Sequence, residues 1–417
     1  ALSKELAQAL RTDSTKRTEA QREQIADHVA SLEPTTKKLA DQLAKLRKKA
    51  PQSPTMTVRV IASANRTTRL LHRGDFLQPA DEVATGVLVV VGSKHPLTAR
   101  GRGKKMDRLD LARWLVATDH PLTSRVVVNQ VWAHLFGQGI VRTLNDFGVR
   151  GELPSHPKLL DWLAYRFPRD LKWSRKALIK TIVTSATYRQ SSRHRPELRT
   201  IDPTNLLLAR QNRVRVEAEI VRDLALSIGG LLSNTVGGAS VFPPLPAGVA
   251  ELSYANSFKW STSKGEDRYR RGMYTFFKRT SPHPTLISFD CPDSNTTRLQ
   301  RANSNTPLQA LITLNNDVFI EAAQAMTRRV LAEEGDDDDQ RLTFALRLCI
   351  ARHPSDGELN GFRNLLAIAR KYYQTHPEDA KKLTAQHAVP GMPAAENAAW
   401  VATLRMVVNL DEFIVRG

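Results

Sequence analysis

Cysteine is almost missing from this chain. Cys291 and Cys349 are the only two in 417 residues. A disulfide scaffold is excluded. With no CxxC or CxxCH anywhere, covalent c-type haem and a cysteine-rich zinc site are excluded as well. A single bridge between the two is left open, although Cys349 sits in an apolar helical run and reads as a buried thiol. Long hydrophobic runs are missing too: no 18 consecutive apolar residues occur, so nothing in the sequence spans a bilayer as a helix. The chain starts ALSKELAQAL, without a charged and then apolar leader. Any export signal is absent or removed, and the chain reads as a piece of something longer. Aromatics make up only 6%, and no nucleic-acid reader motif is evident. GxSxG, Walker A, HExxH and dinucleotide fingerprints are also lacking. A glycosidase-type hydrolase survives these absences, because two carboxylates brought together by the fold need no local motif.

What is present is an ordinary globular composition, 41% apolar and 25% charged, long enough for two or three structural units. The net charge is +19 and uneven. Residues 1–300 carry 48 Lys and Arg against 27 Asp and Glu, whereas residues 301–417 carry 13 against 15. A basic surface of that size attracts polyanions: nucleic acid, acidic polysaccharide or anionic lipid. It equally serves solubility alone.

The pattern predicts a mainly α protein, a multi-helix orthogonal bundle with a small N-terminal β element and a long irregular Pro/Gly-rich insertion. Residues 1–50 read as one or two exposed helices, with Leu32, Leu39, Leu43 and Leu46 at helical spacing, and as the tail of a preceding module. Residues 51–105 read as a small β element, with strand-like runs at Thr55–Ile61, Thr67–His72 and Gly86–Val91, closed by the basic linker Gly101–Lys105. Residues 106–417 read as the helical domain. Asp107, Ser155, Ser174, Thr306 and Ser355 are candidate caps, with Glu358 completing a capping box. Further expected features are a helix opened by Asp202-Pro203, a buried strand at Met273–Phe277, an acidic loop at Asp336–Asp339 and a final helix from about Ala395 to Asn409. Residues 229–305 show little period and many Gly and Pro, which marks a functional loop segment.

Motifs in a fixed order carry a family resemblance: RLDLARWL, HPLTSRVVVNQVWAHLFGQGIV, DFGVRGELPSHPKLLDWLA, WSRKALIKTIVTSATYRQSS, DPTNLLLARQ, RRGMYTFFKRTSPHP, FDCPDSN, NTPLQALITLNN and NLDEF. Over roughly residues 55–417 the chain resembles the uncharacterised C-terminal domain of the large planctomycete cytochrome-c-type multidomain proteins. The resemblance implies an exported, periplasmic or otherwise extracytoplasmic protein. It also implies c-type cytochrome modules of the same protein and sulfatase-like secreted proteins as partners. It implies no established reaction. Haem is expected only in a missing upstream segment, with no cofactor in this chain. Where relatives show a Cys and paired Arg before NTPLQAL, this chain has Thr297, Gln300 and Arg301.

Four constellations could carry chemistry. Arg125, Asn129 and Trp132 share one helix face and could line a sugar groove. The plainer reading is helix packing, with Arg125 on a carboxylate and Asn129 on a loop carbonyl. Asp146-Phe147-Gly148 resembles the kinase metal triplet but lacks its companions, so a turn is the better reading. Arg279, His283, Asp290 and Asp293 cluster in irregular chain. His283, Asp290 and Asp293 could take a cation, and Arg279 could clamp a sulfate or carboxylate; alternatively the aspartates satisfy turn amides. Arg298, Arg301 and Asn305 precede a helix N-terminus, which suits an anion. The expectation is a binding or scaffold module for an anionic polymer such as acidic or sulfated polysaccharide. The first alternative is a hydrolase or lyase acting on polysaccharide through the acids and His of the 279–306 loop. Nucleic-acid binding, suggested by charge alone, is the second alternative and is disfavoured by the low aromatic content.

Overall fold

The computed structural model describes residues 3–49, 67–99, 106–245, 260–333, 335, 337–384 and 387–417. The expected strand Thr55–Ile61 and the linker Gly101–Lys105 lie outside these. The protein is mainly α, 54% helical, with 16 helices and two sheets of two strands among the described residues. It divides into two compact units, residues 1–85 and 86–417.

The first unit holds α1 (Lys4–Arg11), α2 (Glu19–Leu32) and α3 (Pro34–Lys49). A capping box starts α2, with Thr18 and Gln21 satisfying each other's backbone amides,. Arg47 of α3 reaches Glu23 of α2 at 2.5 Å and also Asp27. Leu32, Leu39, Leu43 and Leu46 are exposed. A ribbon follows, β1 (Arg69–Leu71) antiparallel to β2 (Pro79–Glu82).

The second unit begins with a correction. The run Gly86–Val91, expected as a strand, contributes instead a single helical turn, α4 (Val89–Gly92). A short apolar run fits either state. Without a ladder partner it closes its own hydrogen bonds, Gly92 N–H donating to Leu88 O at 2.8 Å. Then come α5 (Arg108–Leu115), α6 (Thr123–Phe136), α7 (Pro157–Arg169) and α8 (Arg175–Val183). Asp107 caps α5 and Ser174 caps α8. Ser155 does not cap α7: His156 holds that position without a side-chain bond. At the end of α6, Gly137 takes φ +81°, and a Cβ there would stand 2.6 Å from Val214 Cγ2. Val128, Phe136, Ile140, Leu160, Leu163, Phe167, Leu178 and Ile182 build one buried cluster from these helices.

No helix follows Asp202-Pro203. The Asp202 carboxylate accepts from Leu206 N–H and Leu207 N–H, both at 2.8 Å. Asn205 and Leu208 both take φ +53°, which stops a right-handed helix,. The second cluster gathers around α9 (Ala218–Ile228), α10 (Pro284–Ser288), α11 (Pro307–Asn315), α12 (Asp317–Glu333), α13 (Asp338–Ile350), α14 (Asp356–Thr375), α15 (Pro377–Thr384) and α16 (Ala394–Val408). The fully buried α16 face, with Trp400, Leu404 and Val407, packs on α12, α13, α14 and α15. The expected acidic loop is a helix start instead: Asp337 caps α13, and Asp338 and Asp339 occupy its first turn, where the helix dipole favours carboxylates,. Capping boxes begin α11 at Thr306 and α14 at Ser355. The expected strand at Met273–Phe277 is reduced to a turn, Gly272–Tyr274, and one parallel bridge between Val241 and Thr275. Cys291 and Cys349 are both free, and burial pushes the Cys349 thiol up to about 12.

Strand β3 (Val214–Arg215) pairs antiparallel with β4 (Val415–Arg416) and ties the chain's end back to the middle. Next to it Asn212 Nδ2 donates to Phe136 O at 2.9 Å, at the end of α6.

Candidate functional site

A cleft of about 400 Å³ opens between the start of α6 and α7. Its floor comes from the segment that joins α5 to α6. His120 is buried, and its Nδ1 accepts from the amides of Leu122 (3.3 Å) and Thr123 (3.1 Å). That fixes the tautomer: the proton sits on Nε2, which has no hydrogen-bond partner among the described residues, and the ring stands edge-on to Trp114, centroids 4.4 Å apart. Burial, then neighbouring His95, lowers the His120 pKa. His95 Nδ1 faces Asp119 Oδ2 at 3.1 Å, and Trp114 Nε1 donates to His95 O at 2.8 Å. The floor is therefore backed by an aromatic cluster, with Asp119 at its edge.

The wall is α7. Its buried stripe is Leu160, Leu163, Ala164 and Phe167. Residues off that stripe face the cleft: Asp161, Trp162, Tyr165 and Arg169. Trp162 is 48% exposed, and Tyr165 is 60% exposed. Arg166 lies over the indole at 4.8 Å and Arg169 over the phenol ring at 4.1 Å. Arg166 is paired with Asp170 at 2.8 Å. Arg169 has no carboxylate partner among the described residues; it donates only to Tyr165 O, at 3.3 Å. Across the cleft Arg125 Nε donates to Asp161 Oδ1 at 2.7 Å and its Nη1 donates to Pro121 O.

The expected Arg125–Asn129–Trp132 groove is not a groove. Only Arg125 reaches the cleft. Asn129 is fully buried, its amide donating to Val141 O (2.8 Å) and its carbonyl accepting from Val141 N–H (2.9 Å). Trp132 is 5% exposed and stacked on Phe136, centroids 4.3 Å apart. The plainer packing reading describes these two. The residues that sequence reasoning missed are Trp162, Tyr165 and Arg169. The signal was there: Trp162 falls outside the 160, 163, 164, 167 stripe.

The residues singled out between 279 and 305 are mostly engaged in holding their own segment. His283 is buried, with Nε2 3.2 Å from Pro244 O, and burial drives its pKa down to about 4. Asp290, at φ +64°, accepts from Ser304 N–H (2.8 Å) and Oγ–H (2.7 Å). Asp293 is exposed and accepts from Asn295, whose amide lowers its pKa. Arg301 pairs with Glu219 at 2.6 Å, and the Cys291 thiol donates to the same carboxylate at 3.8 Å. Arg215 Nη2 donates to Asn305 Oδ1 at 3.0 Å. Arg279 and Arg298 are exposed and form no ion pair among the described residues. No group of three His, Cys, Asp or Glu that could hold a metal ion occurs among the described residues, so His283, Asp290 and Asp293 are not assembled as a ligand set. Asp146 accepts from Gly148 N–H at 2.8 Å, a turn rather than a metal triplet.

Residues 107–366 match the profile of PSD1, described as "Protein of unknown function (DUF1553)". The chain belongs to this family. The matched region starts at the cap of α5 and runs into α14, so it contains the whole cleft and the 279–305 segment. No curated protein and no solved structure matches the chain.

Proposed function

We propose that this chain is a binding module of an exported protein and that the α6–α7 cleft receives an acidic or sulfated polysaccharide. The carrying observation is the α7 wall: an exposed indole beside a guanidinium that lies over Tyr165 and has no carboxylate partner among the described residues. A planar guanidinium held flat on a ring keeps its donors pre-organised for a sulfate or carboxylate. An exposed indole face suits the apolar side of a sugar ring. Asp119 and Asp161 can accept from sugar hydroxyls, and the basic surplus of residues 1–300 draws a polyanion toward the molecule,.

The reading as a hydrolase or lyase through His283, Asp290 and Asp293 has less support, because His283 is buried on a carbonyl and Asp290 is spent on Ser304. Cytochrome c modules and sulfatase-like proteins as partners, and a periplasmic home, rest on the family resemblance and belong to this proposal. Calorimetric titration with a sulfated oligosaccharide and a neutral one of equal length tests it. Trp162→Ala and Arg169→Ala should each weaken sulfated-glycan binding about tenfold, roughly 1.4 kcal/mol, and leave melting temperature unchanged. Equal binding by wild type and both variants, or tighter binding of DNA at physiological salt, would reject this site and ligand.

A further inference from the structure

Away from the cleft, the core of the second unit contains a buried cation without a close counter-charge. Arg222 of α9 is 6% exposed. Its Nη2 donates to Arg268 O at 2.6 Å, and no carboxylate forms an ion pair with it among the described residues. Its Nε, also buried, has no hydrogen-bond partner among the described residues. Asp223 and Glu321 act on it from a distance, but both are committed elsewhere. Asp223 accepts from Gly272 N–H at 2.6 Å. Glu321 takes Arg268 Nη2 and the Tyr269 hydroxyl, each at 2.8 Å.

Arg222 borders a small enclosed cavity of about 10 Å³. Thr275 lines the same space; it is 8% exposed, and its Oγ1 is likewise buried without a partner among the described residues. His283, neutral because burial holds its pKa near 4, and Thr285 are the other polar lining groups. The remaining walls are apolar, including Ala218, Pro243, Leu286 and Phe319. Two orphaned polar groups bordering one cavity of single-atom size are a built site, since buried donors in folded proteins are almost always satisfied.

We propose that this cavity binds a halide-sized anion, chloride in physiological media, held by the Arg222 Nε–H and the Thr275 hydroxyl. Its size excludes a polyatomic ligand, at about one water-sized sphere. The buried guanidinium selects an anion over a neutral guest, because a charge taken out of water demands compensation. Thr275 comes from the single bridge with Val241, so the anion would fasten the irregular 260–280 segment to α9.

Crystals of the whole chain grown without halide and soaked in bromide test this directly. The expected result is an anomalous peak between Arg222 and Thr275. Density without anomalous signal, meaning a water, or no density at all, overturns the proposal. In solution the melting temperature should rise by about 2 °C in chloride relative to gluconate at equal ionic strength. Thr275→Val, which keeps the volume and removes the hydroxyl, should abolish that difference. A variant that folds and retains it overturns the proposal, as does a bromide peak seen only at molar bromide with no chloride effect on melting.

Discussion

Asn129 shows how one polar side chain can look like a ligand contact and be a fastener. It sits one turn from Arg125, yet it is sealed in the core, where it mimics a strand partner for Val141. Removing the amide leaves a buried N–H and a buried carbonyl unpaired, at roughly 1–3 kcal/mol per group. Asn129→Ala should therefore lose about 3 kcal/mol in urea unfolding, while glycan binding by the folded fraction stays as in wild type. His283 gives a pH signature. Its folded pKa, about 4, lies below its ordinary value of 6.5, so its contribution is complete above pH 6.5. Between pH 6.5 and 4 the unfolded chain takes up a proton that the folded chain refuses. That stability is lost as the pH falls toward 4, about 3 kcal/mol in all. His283→Gln should flatten the stability curve between pH 6.5 and 4; an unchanged slope would mean that His283 is not the group responsible.

Among the elements, the α6 terminus decides where the next chain segment can go. Gly137 both adopts a left-handed conformation and lets Val214 of β3 come close. Alanine there meets a backbone penalty of roughly 1 kcal/mol and a clash at 2.6 Å. Gly137→Ala should lower thermal stability by about 1–3 kcal/mol, and the partner substitution Val214→Ala should recover part of it, which a double-mutant cycle measures. Helix α7 divides its residues by the same geometry. The 160, 163, 164, 167 stripe goes inward, and Trp162, Tyr165 and Arg169 are left outside. Helix starts were readable residue by residue, because a cap is a local bond: Asp107, Ser174, Thr306 and Ser355 each accept from an amide two or three positions on. The expected strands were less so, because a strand needs a partner chosen elsewhere in the chain; Thr67–His72 found one and gave β1. Gly86–Val91 and Met273–Phe277 found no ladder and became turns.

For the whole molecule, charge is the property that acts at a distance. Its surplus lies in residues 1–300, and those residues also supply the cleft. If the module holds a polyanion, log K should fall linearly with log salt. Retention on a sulfated column should drop steeply between 50 and 200 mM salt, steps of the kind over which multi-contact polyanion complexes lose orders of magnitude. A salt-independent affinity would mean that shape and not charge governs the contact. The ion pairs Arg301–Glu219, Arg268–Glu321 and Arg215–Asp411 each take one charge of either sign and leave the net surplus unchanged.

The amino-acid order alone determined the helical class, most helix caps, the buried thiol at Cys349 and the family motifs, because each rests on composition, short-range hydrogen bonds or periodicity. It also placed cations, acids and His283 together between 279 and 305. Only the tertiary structure decided what those groups face. Packing turned His283 into the core, set Asp290 on Ser304 and Arg301 on Glu219, and left the cleft to α7. A side chain's partner is chosen by elements tens or hundreds of residues away, and nothing in its immediate neighbours records that choice.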